Sequence, residues 1–144
     1  SALLARWATA LGLDSTVKFH GSRADSPHRR AAADVFALAT RFEGFGGVFA
    51  EAMMSSLPIV ASDIPVAREL VEPGRNGLLT GPEDAGAFAD ALIELLRSPD
   101  RARAMGEQGR DDARRFELDT VAAQYQSVLE AVVTAGPSRT SALG

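Results

Sequence analysis

Short apolar runs, separated by stretches with helical periodicity, constrain the fold of this chain more than any other feature. Residues 35–38 (VFAL) and 58–61 (PIVA) carry no charged or hydrogen-bonding side chain. A strand built from either run therefore has both faces buried, the condition of a parallel sheet covered by helices on each side. Residues 78–80 form a third such segment, entered through the turn former Asn76-Gly77, and VKFH at 17–20 reads as a strand ahead of them all. Helical spacing fills the gaps. Leu3, Leu4, Trp7 and Leu11 recur before a stop at Gly12, and Phe49 to Met53 predicts a helix ending near Ser55 or Ser56. Residues 67–71 add a short turn or two of helix. Asp84 is placed to cap a helix carrying Phe88, Leu92, Leu95 and Leu96, while Ser98-Pro99 closes it and starts the next. Val121, Tyr125, Val128, Leu129 and Val132 share one face of a last helix. The alternation predicts an α/β domain with a parallel, Rossmann-like sheet and flanking helices.

Composition narrows the function. At 144 residues, with 46% hydrophobic and 24% charged residues, the chain suits one soluble domain with a core of its own. Its formal net charge of -4 argues against a broad surface for nucleic acid, which would need clustered Lys and Arg. Any phosphate is recognised locally. The chain has no cysteine, and His20 and His28 are too few for a zinc constellation, so no metal is expected. The lack of cysteine fits a cytoplasmic protein. No apolar run approaches the roughly 20 residues that span a bilayer. Ser1, without an initiator Met or a signal-like start, reads as the beginning of an excised or processed piece, and residues 135–144 read as a flexible tail.

The chemistry concentrates in EGFGGVFAE, residues 43–51. Three glycines lie between Glu43 and Glu51, and a helix begins beneath the second carboxylate. The segment follows the strand at 35–38, where loops at the carboxyl ends of parallel strands hold ligands. Amides of Gly46, Gly47 and Val48 at a helix start would face an anion. A carboxylate can accept from two neighbouring hydroxyls, so Glu51 suits a ribose and Glu43 a hexose. Taken alone, the same pattern also fits a tight strand-to-helix turn with two solvated glutamates.

From Asp34-Val35-Phe36 through EGFGGVFAEAM and LPIVASDIPVARELVEPGRNGLL, the chain closely resembles the C-terminal half of GT-B retaining glycosyltransferases of family 4, and LGLDSTVKFHG resembles that family's strand before its nucleotide-contacting loop. The likeness covers about residues 1–133. It implies that residues 1–134 are part of a GT-B C-terminal donor-binding domain, truncated on its N-terminal side. Glu43 and Glu51 would be the ends of the family's E-x7-E motif, the first near the donor sugar and the second on the ribose. Gly44, Phe45, Gly46, Gly47 and Val48 would form the loop meeting sugar and phosphate, with Gly21, Ser22 and Arg23 near the base. The resemblance places the diphosphate-clamping Arg and Lys, the acceptor domain and two central strands upstream of residue 1. The sheet is therefore expected either to re-pair its remaining strands or to expose unpaired edges.

Three departures stand out: Thr40 where the family has Ser, Ser56 where it has Gly, and a shortened segment between Gly21 and Asp34 that lacks the family's Leu and Tyr pattern. Ser56 implies either a changed turn or a non-glycine residue at an unusual backbone angle. His28, Arg29 and Arg30 read as a solvated face, His20 as an ordinary partly buried histidine, Asp111-Asp112 as surface, Asp63 as a turn former, Glu69 as a holder of backbone amides, and Met53 and Met54 as core fillers. The expected function is the nucleotide-sugar-binding part of a retaining glycosyltransferase that moves a hexosyl unit from a nucleoside diphosphate sugar to an acceptor, without metal and with Glu43 as the catalytic candidate. Alone, the fragment is expected to be inactive. The alternative is a non-catalytic scaffold module that keeps the fold. Membrane association would depend on the absent half.

Overall fold

The computed structural model describes residues 2–21, 30 and 32–135. Helix α1 (Ala2–Ala10) leads the chain, followed by strand β1 (Phe36–Leu38), helix α2 (Gly47–Met54), strand β2 (Ile59–Ser62), helix α3 (Pro65–Leu70) and strand β3 (Gly77–Thr80). Helices α4 (Ala85–Arg97) and α5 (Pro99–Ala113), a 3-10 turn (Arg114–Phe116) and helix α6 (Leu118–Ala135) complete it. The strands form one parallel sheet in the order β1-β2-β3, with Phe36 opposite Ile59, Leu38 opposite Ala61 and Ser62 opposite Thr80.

Every residue of β2 is buried. Successive side chains of a strand point to opposite faces, and the two faces feed separate clusters. Ile59 and Ala61 pack with Phe49, Ala52 and Met53 of α2 and with Ala67 of α3. Val60, on the other face, packs with Ala91 and Leu95 of α4 and with Ala102 and Met105 of α5. Helix α5 reaches both layers, because Ala113 at its far end belongs to the first cluster. Asp84 caps α4 as expected, its carboxylate accepting from the Ala87 amide at 2.8 Å. The Ser98 hydroxyl, by contrast, makes no cap bond, and the first bond into α5 is from the Ala102 amide to the Ser98 carbonyl at 2.9 Å.

Residues 17–20 form no strand, against the sequence expectation. Strand pairing is not a local property: β-rich composition becomes a strand only when a neighbour supplies the ladder. Among the described residues nothing pairs with 17–20, nor with the side of β1 away from β2. Of the two outcomes expected for the sheet, an unpaired edge is the one observed. The apolar stripes of the terminal helices are also uncovered. Trp7 is 62% and Leu11 71% exposed on and beyond α1, and Tyr125, Val128, Leu129 and Val132 are all exposed along α6.

Ser56, at the turn from α2 to β2, has φ +56°. It occupies the left-handed region that glycine adopts without strain, so of the two expected outcomes the non-glycine residue at an unusual backbone angle is the one found. Gly106 of α5 sits directly over it. A Cβ there would overlap the Ser56 carbonyl oxygen and stand 2.7 Å from its carbonyl carbon, whereas one on Gly109 would meet Asn76 and Met53 at an ordinary 3.7 Å. Gly106→Ala is therefore expected to lower the unfolding free energy by about 3 kcal/mol through backbone overpacking, while Gly109→Ala raises it by up to about 1 kcal/mol through helix propensity. Urea titrations of both variants test the contrast, and equal effects would contradict this packing.

Candidate functional site

The loop from β1 to α2 is built by hydrogen bonds that end the strands. The Thr40 amide donates to the buried Ser62 hydroxyl at 3.1 Å, tying the end of β1 to the end of β2. The Thr40 hydroxyl donates to the Phe42 carbonyl at 2.8 Å and accepts from the Phe42 amide at 3.3 Å. A hydroxyl turn needs only an oxygen on Cβ, so Thr serves where Ser would. The chain then enters Glu43, whose Oε1 accepts from the Gly44 amide at 3.0 Å.

Gly46 makes the next turn possible. Its φ is +76°, and a Cβ would stand 2.7 Å from Leu70 Cδ1 and 2.9 Å from Val66 Cγ2. The residue is the N-cap of α2 and contributes no side-chain cap. The Phe49 amide donates to the Gly46 carbonyl at 2.9 Å, so Gly47 and Val48 precede the first intrahelical bond. Helix starts leave such N–H groups for other acceptors, with the helix dipole favouring negative charge.

Beside this loop lies a cavity of about 510 Å³, a size typical of small-ligand sites. Glu43 through Gly47 line it, together with Phe42, Leu70 and Phe116. Phe42 and Phe45 are 83% and 91% exposed, so each presents a ring at the opening. Glu69 of α3 also lines the cavity, and its backbone carbonyl accepts from Arg115 Nη2 at 3.1 Å. Val48 and Glu51 are not among the lining residues. Ala50 faces the cavity, and Glu51, about 100° further round the helix, turns away from it. Its Oε2 lies 2.8 Å from Arg30 Nη1. The structure thus gathers Glu43, Gly44, Phe45, Gly46 and Gly47 around one cavity and holds Glu51 on the neighbouring face of α2. Gly21 has φ +64° and open space around its Cα, while Ser22 and Arg23, like His28 and Arg29, lie outside the described residues.

Two residues read as unremarkable surface are engaged. Arg30, read as part of a solvated face, is only 22% exposed and meets Glu51. Asp112, read as surface, accepts from Arg75 Nη2 at 2.7 Å and from Asn76 Nδ2 at 3.0 Å. Asn76 is itself buried, accepts from the Glu72 amide at 2.9 Å and donates to the Leu70 carbonyl at 3.2 Å. Its amide group is therefore satisfied, as burial requires. These contacts hold the turn between α3 and β3, and with it the Leu70 wall of the cavity. Asp63, after β2, forms a two-point pair with Arg68: Nε to Oδ1 at 2.6 Å and Nη2 to Oδ2 at 3.0 Å. Among the described residues no group of three or more His, Cys, Asp and Glu could hold a metal ion, and no helix is long and apolar enough to cross a membrane.

A parallel α/β sheet with helices on both faces and a glycine-rich loop and helix start at the carboxyl end of a strand places this chain among doubly wound α/β domains, whose ligand crevice lies at that end of the sheet. The chain belongs to the glycosyl transferases group 1 family, whose model matches residues 2–98. It is 35% identical over 128 residues to the phosphatidyl-myo-inositol mannosyltransferase of Mycobacterium leprae, covering 87% of this chain and 34% of that protein. It is 33% identical over 132 residues to the D-inositol 3-phosphate glycosyltransferase of Corynebacterium kroppenstedtii, covering 90% and 29%. Among solved structures, Anabaena HepE in complex with UDP superposes with a TM-score of 0.86 at 34% identity, over 91% of this chain and 36% of that one. The same protein in complex with UDP-glucose gives 0.83. The fold is GT-B-like, and the chain spans about a third of the length of these relatives.

Gly46→Ala is expected to cost about 2 to 4 kcal/mol, combining a left-handed backbone angle with overpacking against Val66 and Leu70. Denaturant unfolding measures it, and a loss under about 1 kcal/mol would mean the loop relaxes freely. The hydrogen bonds from Arg68, opposed by desolvation and aided by its charge, hold the Asp63 carboxyl below the ordinary 3.8. Because the folded value is the lower one, the pair's stabilisation is present above that ordinary value and fades as pH falls through the folded one. An NMR titration should place the Asp63 midpoint under 3.8, and Arg68→Gln should move it back up.

Proposed function

We propose that this chain is the nucleotide-sugar-binding part of a retaining GT-B glycosyltransferase of family 4, which moves a hexosyl unit from a nucleoside diphosphate sugar to an acceptor. The observation that carries the reading is the EGFGG loop: an uncapped helix start behind a left-handed Gly46, beside a cavity that Glu43 lines, in a family where HepE binds UDP and UDP-glucose. Glu43 would receive the donor hexose and be the residue nearest the chemistry. The Gly46, Gly47 and Val48 amides would take the pyrophosphate, and Glu51 the ribose hydroxyls. An extended donor can reach both carboxylates without their sharing one pocket, because it would pass from the cavity over the helix start to the next face of α2. Gly21, Ser22 and Arg23 would lie near the base. Residues 1–134 act as the donor-binding unit in this reading, with residues 135–144 a tail.

Charge developing on the departing diphosphate would be met by fixed N–H dipoles, which stabilise a transition state without reorganising. No metal is needed for that role. The acceptor-side domain would be the partner in the whole protein, and a cytoplasmic location fits the cysteine-free composition.

Calorimetric titration with UDP, GDP and ADP tests the reading, and binding is expected for one base in preference to the others. Glu51→Ala should weaken that nucleotide about tenfold or more, the scale of losing charged hydrogen bonds. In the whole enzyme, Glu43→Ala should mainly lower kcat. No heat with any of the three nucleotides, or near-wild-type kinetics for both variants, would defeat the assignment.

A further inference from the structure

We infer that Arg30 is a specificity-determining residue: it supplies the cation that lets Glu51 stand beside a pyrophosphate, and so biases the site toward nucleoside diphosphates over uncharged nucleosides. The inference rests on the nucleotide-sugar reading of the loop and adds to it a residue that the motif does not include. Arg30 and Glu51 are 21 positions apart in sequence, and their closest approach is Nη1 to Oε2 at 2.8 Å. A guanidinium carries five N–H donors and a carboxylate about four acceptor sites. Pairing with one another, even through two hydrogen bonds, uses only part of that capacity. The Arg30 side chain is 22% exposed and that of Glu51 49%. Arg30 Nε is buried and has no acceptor among the described residues.

The charge balance around the loop gives the pair its meaning. Glu43, Glu51 and Glu69 are carboxylates on or beside the site, and a pyrophosphate approaching the helix start would meet their repulsion. Among the described residues, two other cations near the loop are paired elsewhere. Arg41 Nη2 pairs with Glu83 at 3.0 Å, and Arg68 is held by both oxygens of Asp63. Arg30 alone among these is paired with a carboxylate of the proposed donor site itself. If Glu51 takes the ribose, the phosphates attached to that ribose lie within reach of the guanidinium that already touches Glu51. Arg30 thus offsets the Glu51 charge at the point where the phosphates would pass. A planar, permanently charged fork suits phosphate oxygens.

The test measures a ratio, so that loss of fold and loss of specificity separate. The full chain is titrated by calorimetry with the nucleoside diphosphate it binds best among UDP, GDP and ADP, and with the matching nucleoside. Arg30→Gln should weaken the diphosphate about ten- to hundredfold, the range of one charge-assisted hydrogen bond lost. The nucleoside should change by less than about threefold. Arg30→Lys, which keeps the charge, should restore most of the diphosphate preference. Glu51→Gln should show the complementary pattern, losing affinity for diphosphate and nucleoside alike, because the ribose contact is common to both. An Arg30→Gln variant in which both affinities fall together, or neither falls, would overturn the inference and leave the function standing. A wild-type chain that binds no nucleotide would overturn the function itself, and the inference with it. Should the glutamine variant fail to fold, the lysine variant decides: a preference lost despite the retained charge would overturn the inference.

Discussion

The fold depends on one short strand that is buried on both faces. β2 supplies the ladder for β1 and β3 and sends alternate side chains into two hydrophobic clusters. Burial of this kind excludes any polar position whose hydrogen bonds are not met within the protein. Ser62, at its end, obeys the rule by accepting the Thr40 amide. That bond sets where β1 stops, and hence where the glycine loop begins. The site's position therefore follows from satisfying the last polar group of the central strand.

The parallel sheet and the loop were legible in the sequence because both are local. An apolar run of only four residues is too short for a buried helix and so reads as a buried strand, and a turn demanding a left-handed angle leaves glycine as its trace at Gly46. Asp84 was legible for the same reason, since an N-cap is decided within three residues. What failed to read was what lies far away in sequence. Residues 17–20 carry strand composition but no described neighbour to pair with. The stripes of α1 and α6 announce an apolar face and say nothing of what covers it; in this chain both stripes are exposed. Asp112 and Arg30 looked like solvated charges because their partners, Asn76 with Arg75 and Glu51, are brought to them only by the fold.

The two acids of the loop owe their different surroundings to helix geometry. Glu43 precedes α2 and is turned back on its own chain, accepting the Gly44 amide while its carboxylate borders the cavity. Glu51 is in the second turn of α2, on a face that the cavity does not reach, and it has its own cation. Two carboxylates held on one side of a loop would repel an anionic ligand together. Separated by the helix start, with amides between them, they present hydroxyl acceptors at either end of a stretch whose own dipoles favour negative charge. A net charge of -4 over the whole chain is compatible with this, since what matters to a pyrophosphate is the field of the few groups within a Debye length.

Helix α2 itself is fixed at both ends by close packing around a glycine. At its start, Gly46 lies under Val66 and Leu70 with no room for a Cβ; at its end, the Ser56 carbonyl occupies the space that a Cβ on Gly106 would need. Contacts of this sort depend on main-chain position, and packed interiors yield little to small displacements. The amides of the helix start and the Cα of Glu51 are thus placed by packing on the buried side, while the groups that would meet a ligand project from the exposed side. Phe42, Phe45 and Glu69 are all exposed at the cavity, so substitutions there can alter which ligand fits without entering either core cluster. A scaffold with that division keeps the backbone of the helix start constant and leaves variation to a few surface residues. Arg30, largely buried beside Glu51, is fixed more firmly than that exposed set, and its guanidinium meets α2 at 2.8 Å.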